Sequence, residues 1–171
     1  MQQEKRPLMR PSILGILLLA LYAFPANAQQ TALTHYTAGD LATKAAALKT
    51  QADHGGNGVA SETLETYPGH LTMLAFRDGD GGAELHKKIA DLDFILDGEV
   101  TLITGGSIEE PKDASPDEVR GKSVTGGQKT ILHKGDVIHI PANVPHQMLV
   151  APGQSVTYFV TKVAVPEGQQ P

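Results

Sequence analysis

The chain contains no cysteine. That excludes disulfides, thiolate metal ligands, a cysteine nucleophile and a lipid-bearing cysteine, so stability has to come from core packing. The alternative of a membrane anchor is disfavoured: the apolar run from Ile13 to Phe24 is too short to cross a bilayer comfortably and is followed by Pro25. With Lys5, Arg6 and Arg10 before it and "ANA" at 26–28 after it, this run has the order of a secretory signal peptide. The expected domain plan is therefore a cleaved leader at 1–28, a helical extension at 29–57, a barrel at 58–165 and a tail at 166–171, with the mature protein periplasmic or secreted.

Positive charge is scarce. Without residues 1–28, 11 Lys and Arg face 18 Asp and Glu, a net charge of −7. Such a surface is a poor partner for a nucleic-acid backbone or an anionic membrane. There is no internal repeat and no βαβ alternation. "GGAELHKK" is not a phosphate loop, because its lysines follow a strand and no helix begins there.

What remains reads as β structure. One alanine-rich helix is predicted over Asp40–Asp53, capped by Asp40 or Thr37 and stopped by "HGGNG". From Val59 onward, short β-branched runs ("VASETLETY", "HLTMLAF", "DFIL", "EVTLIT", "TILH", "DVIHI", "SVTYFVTKVAV") alternate with glycine-rich turns such as "YPG", "DG" and "KGD". The pattern predicts an all-β sandwich or closed barrel. Residues 107–128 are polar and rich in turn formers, and read as a long loop, mobile or folded over an opening.

Two stretches carry chemistry. In "ELHKKIADLDFILDGEV", strand alternation puts Glu84, His86 and Lys88 on one face, and Asp91 can return to the same point after a bend. In "GDVIHIPANVPHQMLV", Gly135 and Asp136 turn the chain, Pro141 and Pro145 stiffen the loop, and His146 is delivered at a fixed place. His70 and His139 lie in strands that could face a cavity. His35, His54 and His133 read as surface or turn residues.

These residues resemble the two motifs of the cupins. The second, G-x5-P-x-G-x2-H-x3-N, is matched by Gly135, Pro141 and His146, with Asn143 at the middle glycine and Val150 at the final asparagine. The first, G-x5-H-x-H-x3,4-E-x6-G, aligned on Gly98, gives Asp91 for the glutamate, His86 for the second histidine, Glu84 for the first, and Asp78 for the opening glycine. Another register makes His86 the first histidine and Lys88 the second, so that the Lys88 ammonium takes an ion's place.

The resemblance implies a double-stranded β-helix, the jelly-roll cupin barrel, with a divalent metal ion held by Glu84, His86, Asp91 and His146. Two imidazoles and two carboxylates suit Mn, Fe, Ni or Zn. Such an ion can activate small oxygenated substrates. The function classes it leaves open are a metal-dependent dioxygenase, isomerase or lyase, a non-catalytic barrel for a sugar-like ligand, and a purely structural barrel without an ion. The partner expected is a small molecule, with no nucleic acid and no membrane after leader cleavage. The helix is expected either to mediate a homodimer or to cover the chain's own sheet edge.

Overall fold

The computed structural model describes residues 33–166 and residue 168, so the leader expected at 1–28 and most of the tail lie outside the described residues. The chain divides into two units, Met1–His35 and Tyr36–Pro171, and the second carries the helix and all the described strands.

The helix, α1, spans Ala38–Gly55. Thr37 is the N-cap: its hydroxyl accepts from the Asp40 backbone N–H at 3.1 Å, while the Asp40 carboxylate accepts from the Thr37 backbone N–H at 2.8 Å. Both expected cap residues thus act together, as the two halves of a capping box.

Twelve strands come after it: β1 (Val59–Tyr67), β2 (His70–Arg77), β3 (Ala83–His86), β4 (Ile89–Thr104), β5 (Ser107–Ile108), β6 (Lys112–Ser115), β7 (Glu118–Gly121), β8 (Val124–Thr125), β9 (Gln128–His133), β10 (Val137–Ile140), β11 (His146–Leu149) and β12 (Val156–Ala164). Ten form one antiparallel sheet in which β4 pairs with β12 and β10 along its first half and with β9 and β11 along its second. The sheet thereby folds over on itself, giving the all-β double-stranded β-helix, with one helix among the described residues.

The "DG" expected to be a turn lies inside β4. Asp97 pairs with Thr157 and Ile95 with Tyr158, so Leu96 is an extra residue, a β-bulge. The bulge flips the alternation: Ile95 and then Val100 and Leu102 all point into one core, while Leu96 packs on the helix side. Gly98 has φ 83°, and a Cβ there would meet the Ser155 carbonyl oxygen at 1.9 Å. Only glycine lets β4 pass so close to the β12 entry.

Two cores sit on opposite faces of the β1–β2–β12–β4 layer. Inside, Ala75, Ile95, Val100, Leu102, Val156 and Val160 pack with Met148 of the facing layer. Outside, Leu41, Ala45, Leu48 and Ala52, one stripe of α1, cover Ala60, Leu74 and Phe76. The helix therefore covers its own sheet. Fully burying a leucine or valine of this kind contributes about 1.5–3 kcal/mol.

The polar segment 107–128 is ordered into β5 to β8 rather than being a plain loop. β7 pairs with β3 and β6 with β7, extending the sheet at its edge. Buried Gln147 ties the segment in: its amide oxygen accepts from Val124 N at 3.0 Å and its amide nitrogen donates to Gly81 O at 2.8 Å.

Candidate metal centre and cavity

Inward-facing residues of β2, β3, β4, β7, β11 and β12 line a cavity of about 310 Å³. On β3, Glu84 and His86 point in as alternation requires, but the strand ends at His86 and the chain turns away. Lys88 is consequently exposed, with Asp117 at 3.5 Å. The register that would bring Lys88 to an ion is thus not the one this chain adopts. On β4, Asp91 and Asp93 face inward.

His146 opens β11, directly opposite Glu84 of β3 and Thr104 of β4. The loop before it carries Asn143 at φ 64°, at the position where the motif has glycine. Asparagine is among the few residues that adopt this left-handed conformation readily. The Asn143 N–H donates to the His86 carbonyl at 2.8 Å, so one backbone bond joins the two motif stretches.

The ring nitrogens have assignable roles. His146 Nδ1 lies 3.0 Å from the Val144 carbonyl, which only accepts, so Nδ1 carries the proton and a neutral ring keeps its Nε2 lone pair. His86 Nε2 lies 3.0 Å from the Lys162 ammonium, which only donates, so this nitrogen is an acceptor and Nδ1 carries the proton, facing Glu118 at 3.9 Å. Glu84, His86 and His146 each offer a ligand atom, all within 4.8 Å of one another. Two imidazoles and a carboxylate at this spacing fit a divalent ion of the Mn, Fe, Ni or Zn type.

Asp91 stands apart from that trio. Its Oδ2 accepts from Lys162 Nζ at 2.6 Å and lies 3.5 Å from His86 Nε2 and 3.9 Å from His146 Nε2. Its Oδ1 is buried with no hydrogen-bond partner among the described residues, and the same holds for Asp93 Oδ1. The fourth residue of the expected set is therefore adjacent to the cluster but engaged by a lysine.

Electrostatics follow from burial and these neighbours. Burial alone would raise the Glu84 pKa, but Arg120, 3.5 Å away, together with His146, Arg77 and His86, brings it below the usual carboxylate range. Burial, with help from Lys162, lowers the pKa of His86 and favours the neutral, ligating imidazole. Burial, reinforced by Asp91, raises Asp93 to about 7. Deeper in the cavity, Arg77 Nε donates to the Tyr158 hydroxyl at 2.9 Å.

Sequence reading did not single out Lys162, Arg77, Asp93, Glu118 or Arg120. Lys162 and Arg77 had a signal. In "VTYFVTKVA" the inward row is Val156, Tyr158, Val160, Lys162, and in "HLTMLAFR" it is Met73, Ala75, Arg77. A cation in phase with a core row points inward. Glu118 and Arg120 belong to the segment read as loop. His70 stacks on Tyr67 at 4.9 Å, and His139 lines a separate shallow hollow on the outer face. Neither enters the cavity.

No protein-family model matches the chain, and no curated protein matches it. Solved structures do. The chain is similar to an oxalate oxidase at 14% identity and TM-score 0.47, over 63% of this chain and 52% of that one. It is similar to a cupin domain from Schizosaccharomyces pombe at 10% identity and TM-score 0.46, over 62% and 61%. It is also similar to the polyketide cyclase RemF from Streptomyces resistomycificus at 16% identity and TM-score 0.45, over 67% and 75%. The chain spans less than two thirds of the length of the first two. The second of these is named as a cupin domain.

Proposed function

We propose that the chain is a metal-dependent cupin-fold enzyme that acts in the periplasm, or after secretion, on a small organic molecule by dioxygenase, isomerase or lyase chemistry. One observation carries the reading. One ligand atom each of Glu84, His86 and His146 lies within 4.8 Å of the others on the wall of the cavity. A divalent ion held there supplies Lewis acidity toward an oxygen-bearing substrate. The chain's own groups do the rest. The Val144 carbonyl fixes the tautomer of His146, Asp91 holds the Lys162 ammonium beside the cluster, and Asp93 can carry a proton at Oδ1 near neutral pH. Export is supported by the leader-like residues 1–28 alone, and N-terminal sequencing of the exported chain tests it. Substrate-dependent oxygen uptake or product formation that chelator abolishes and the ion restores is the test of the enzyme reading.

A second reading, a non-catalytic barrel for a sugar-like ligand, is favoured by Lys162. Its ammonium already sits on the His86 lone pair, as a protein-borne cation would in a metal-free site. Ligand-induced stabilisation without turnover, unchanged by chelator, would support it. We further propose a homodimer through surfaces other than the buried face of α1, among them the outer sheet around the half-exposed Phe94 and the exposed Val137. Light scattering over a concentration series tests this, and a monomer throughout would remove it.

A further inference from the structure

We propose that the Arg77 guanidinium anchors a carboxylate of the ligand, so that the cavity takes small organic acids. This deepens the reading of the cavity as a substrate site and rests on it. Arg77 is the last residue of β2, in phase with Met73 and Ala75, and it lines the same cavity as Glu84, His86 and His146. Its guanidinium is held by Tyr158. Nε donates to the Tyr158 hydroxyl at 2.9 Å with the group 5.9 Å from the Tyr158 ring centre. A Cβ at residue 81 would sit 2.5 Å from Nη1, so Gly81 keeps the space that the group occupies.

What Arg77 lacks, among the described residues, is a directly paired carboxylate. Glu84 and Asp93 act on it electrostatically, yet among the described residues no carboxylate forms an ion pair with it: Glu84 is bonded by Arg120, and Asp93 Oδ1 has no partner. Arg77 is half-buried, and Tyr158, Glu84 and Asp93 favour its charged form, so a guanidinium with hydrogen-bonding capacity to spare stands at the cavity wall. Arginine's planar fork matches a carboxylate by two parallel hydrogen bonds, and Nε being tied to Tyr158 leaves the two Nη groups to make them. At about 310 Å³ the cavity is at the small end of ligand pockets. Its occupant would place a carboxylate on Arg77 and a second oxygen toward Glu84, His86 and His146.

The test is calorimetric titration of the purified chain with glycolate, lactate, malonate and succinate, and with the corresponding amides, on both chelator-treated and Mn-loaded protein. The expected result is binding of at least one acid and not of its amide. Arg77→Gln should weaken that binding roughly tenfold to a hundredfold, and Tyr158→Phe, which keeps the guanidinium, should retain most of it. Thermal melts confirm that each variant is folded. If Arg77→Gln does not fold, Arg77→Lys replaces it and is expected to lose about tenfold, because an ammonium cannot make the two-pronged contact. Acid and amide binding alike, an Arg77 variant binding as wild type, or no acid binding at about 10 mM would each overturn the proposal. Acid binding that depends on Arg77 in chelator-treated protein that never takes up Mn would uphold this inference while removing the metal reading.

Discussion

The Lys162 ammonium lies 2.6 Å from Asp91 Oδ2 and 3.0 Å from His86 Nε2. The two strands impose the pairing, since Lys162 of β12 is the register partner of Asp91 of β4 and both face inward. The nitrogen that a divalent ion needs from His86 is thus the one that the lysine occupies. Metal and lysine compete for one lone pair, and the ion has to displace a cation that is itself held by a buried carboxylate.

Replacing that lysine should separate its two roles. Lys162→Met leaves Asp91 buried without its counter-charge, and the metal-free protein should lose about 3–5 kcal/mol by chemical denaturation. The same change removes a competing positive charge, so affinity for Mn(II) or Zn(II) should rise by about tenfold or more. Saturating metal should then recover much of the lost stability. A variant as stable as wild type without metal would show that the lysine does not neutralise Asp91.

Asp93 gives a pH signature. Its folded pKa is raised from 3.8 to about 7, so the folded state holds this proton more tightly than the unfolded chain does. The group's contribution is fully present below pH 3.8 and is lost as pH rises through about 7. Asp93→Asn cannot ionise, so chelator-treated Asp93→Asn should exceed wild type in stability at pH 8 by roughly 2–4 kcal/mol. The gap should narrow steadily as pH falls toward 4. A difference that does not vary with pH would contradict the burial argument.

The second motif's missing glycine predicts a backbone effect. Asn143 holds φ 64° and its N–H bonds the His86 carbonyl. Asn143→Gly should change stability by only a few tenths of a kcal/mol. Asn143→Val, which disfavours the left-handed region, should cost about 1–3 kcal/mol and reduce metal affinity by misplacing both motif stretches. Equal melting curves for the two variants would remove this account of the loop.

Legibility followed local against non-local causes. The helix with its cap, and β1 from Val59 to Tyr67, could be read because capping chemistry and β-branched runs are local. The "DG" at Asp97 and Gly98 could not, since its role as a bulge depends on where β12 lies. Residues 112–121 have little apolar content, and β6 and β7 exist because β3 offers an edge to pair with. In the site, Glu84, His86 and His146 were visible through motif spacing. The sequence neighbour Lys88 is the lysine that motif spacing offers as a neutralising charge, whereas the fold supplies Lys162 from 71 residues beyond Asp91. A cross-strand partner is fixed by sheet register, which no single stretch encodes.

Elemental analysis tests the central claim most directly: the chain is purified without added metal or chelator and compared with His86→Ala and His146→Ala. The account predicts near-stoichiometric Mn, Fe, Ni or Zn in wild type and its loss in both variants while they remain folded. No metal in wild type, and no stabilisation on adding any of these ions, would contradict it.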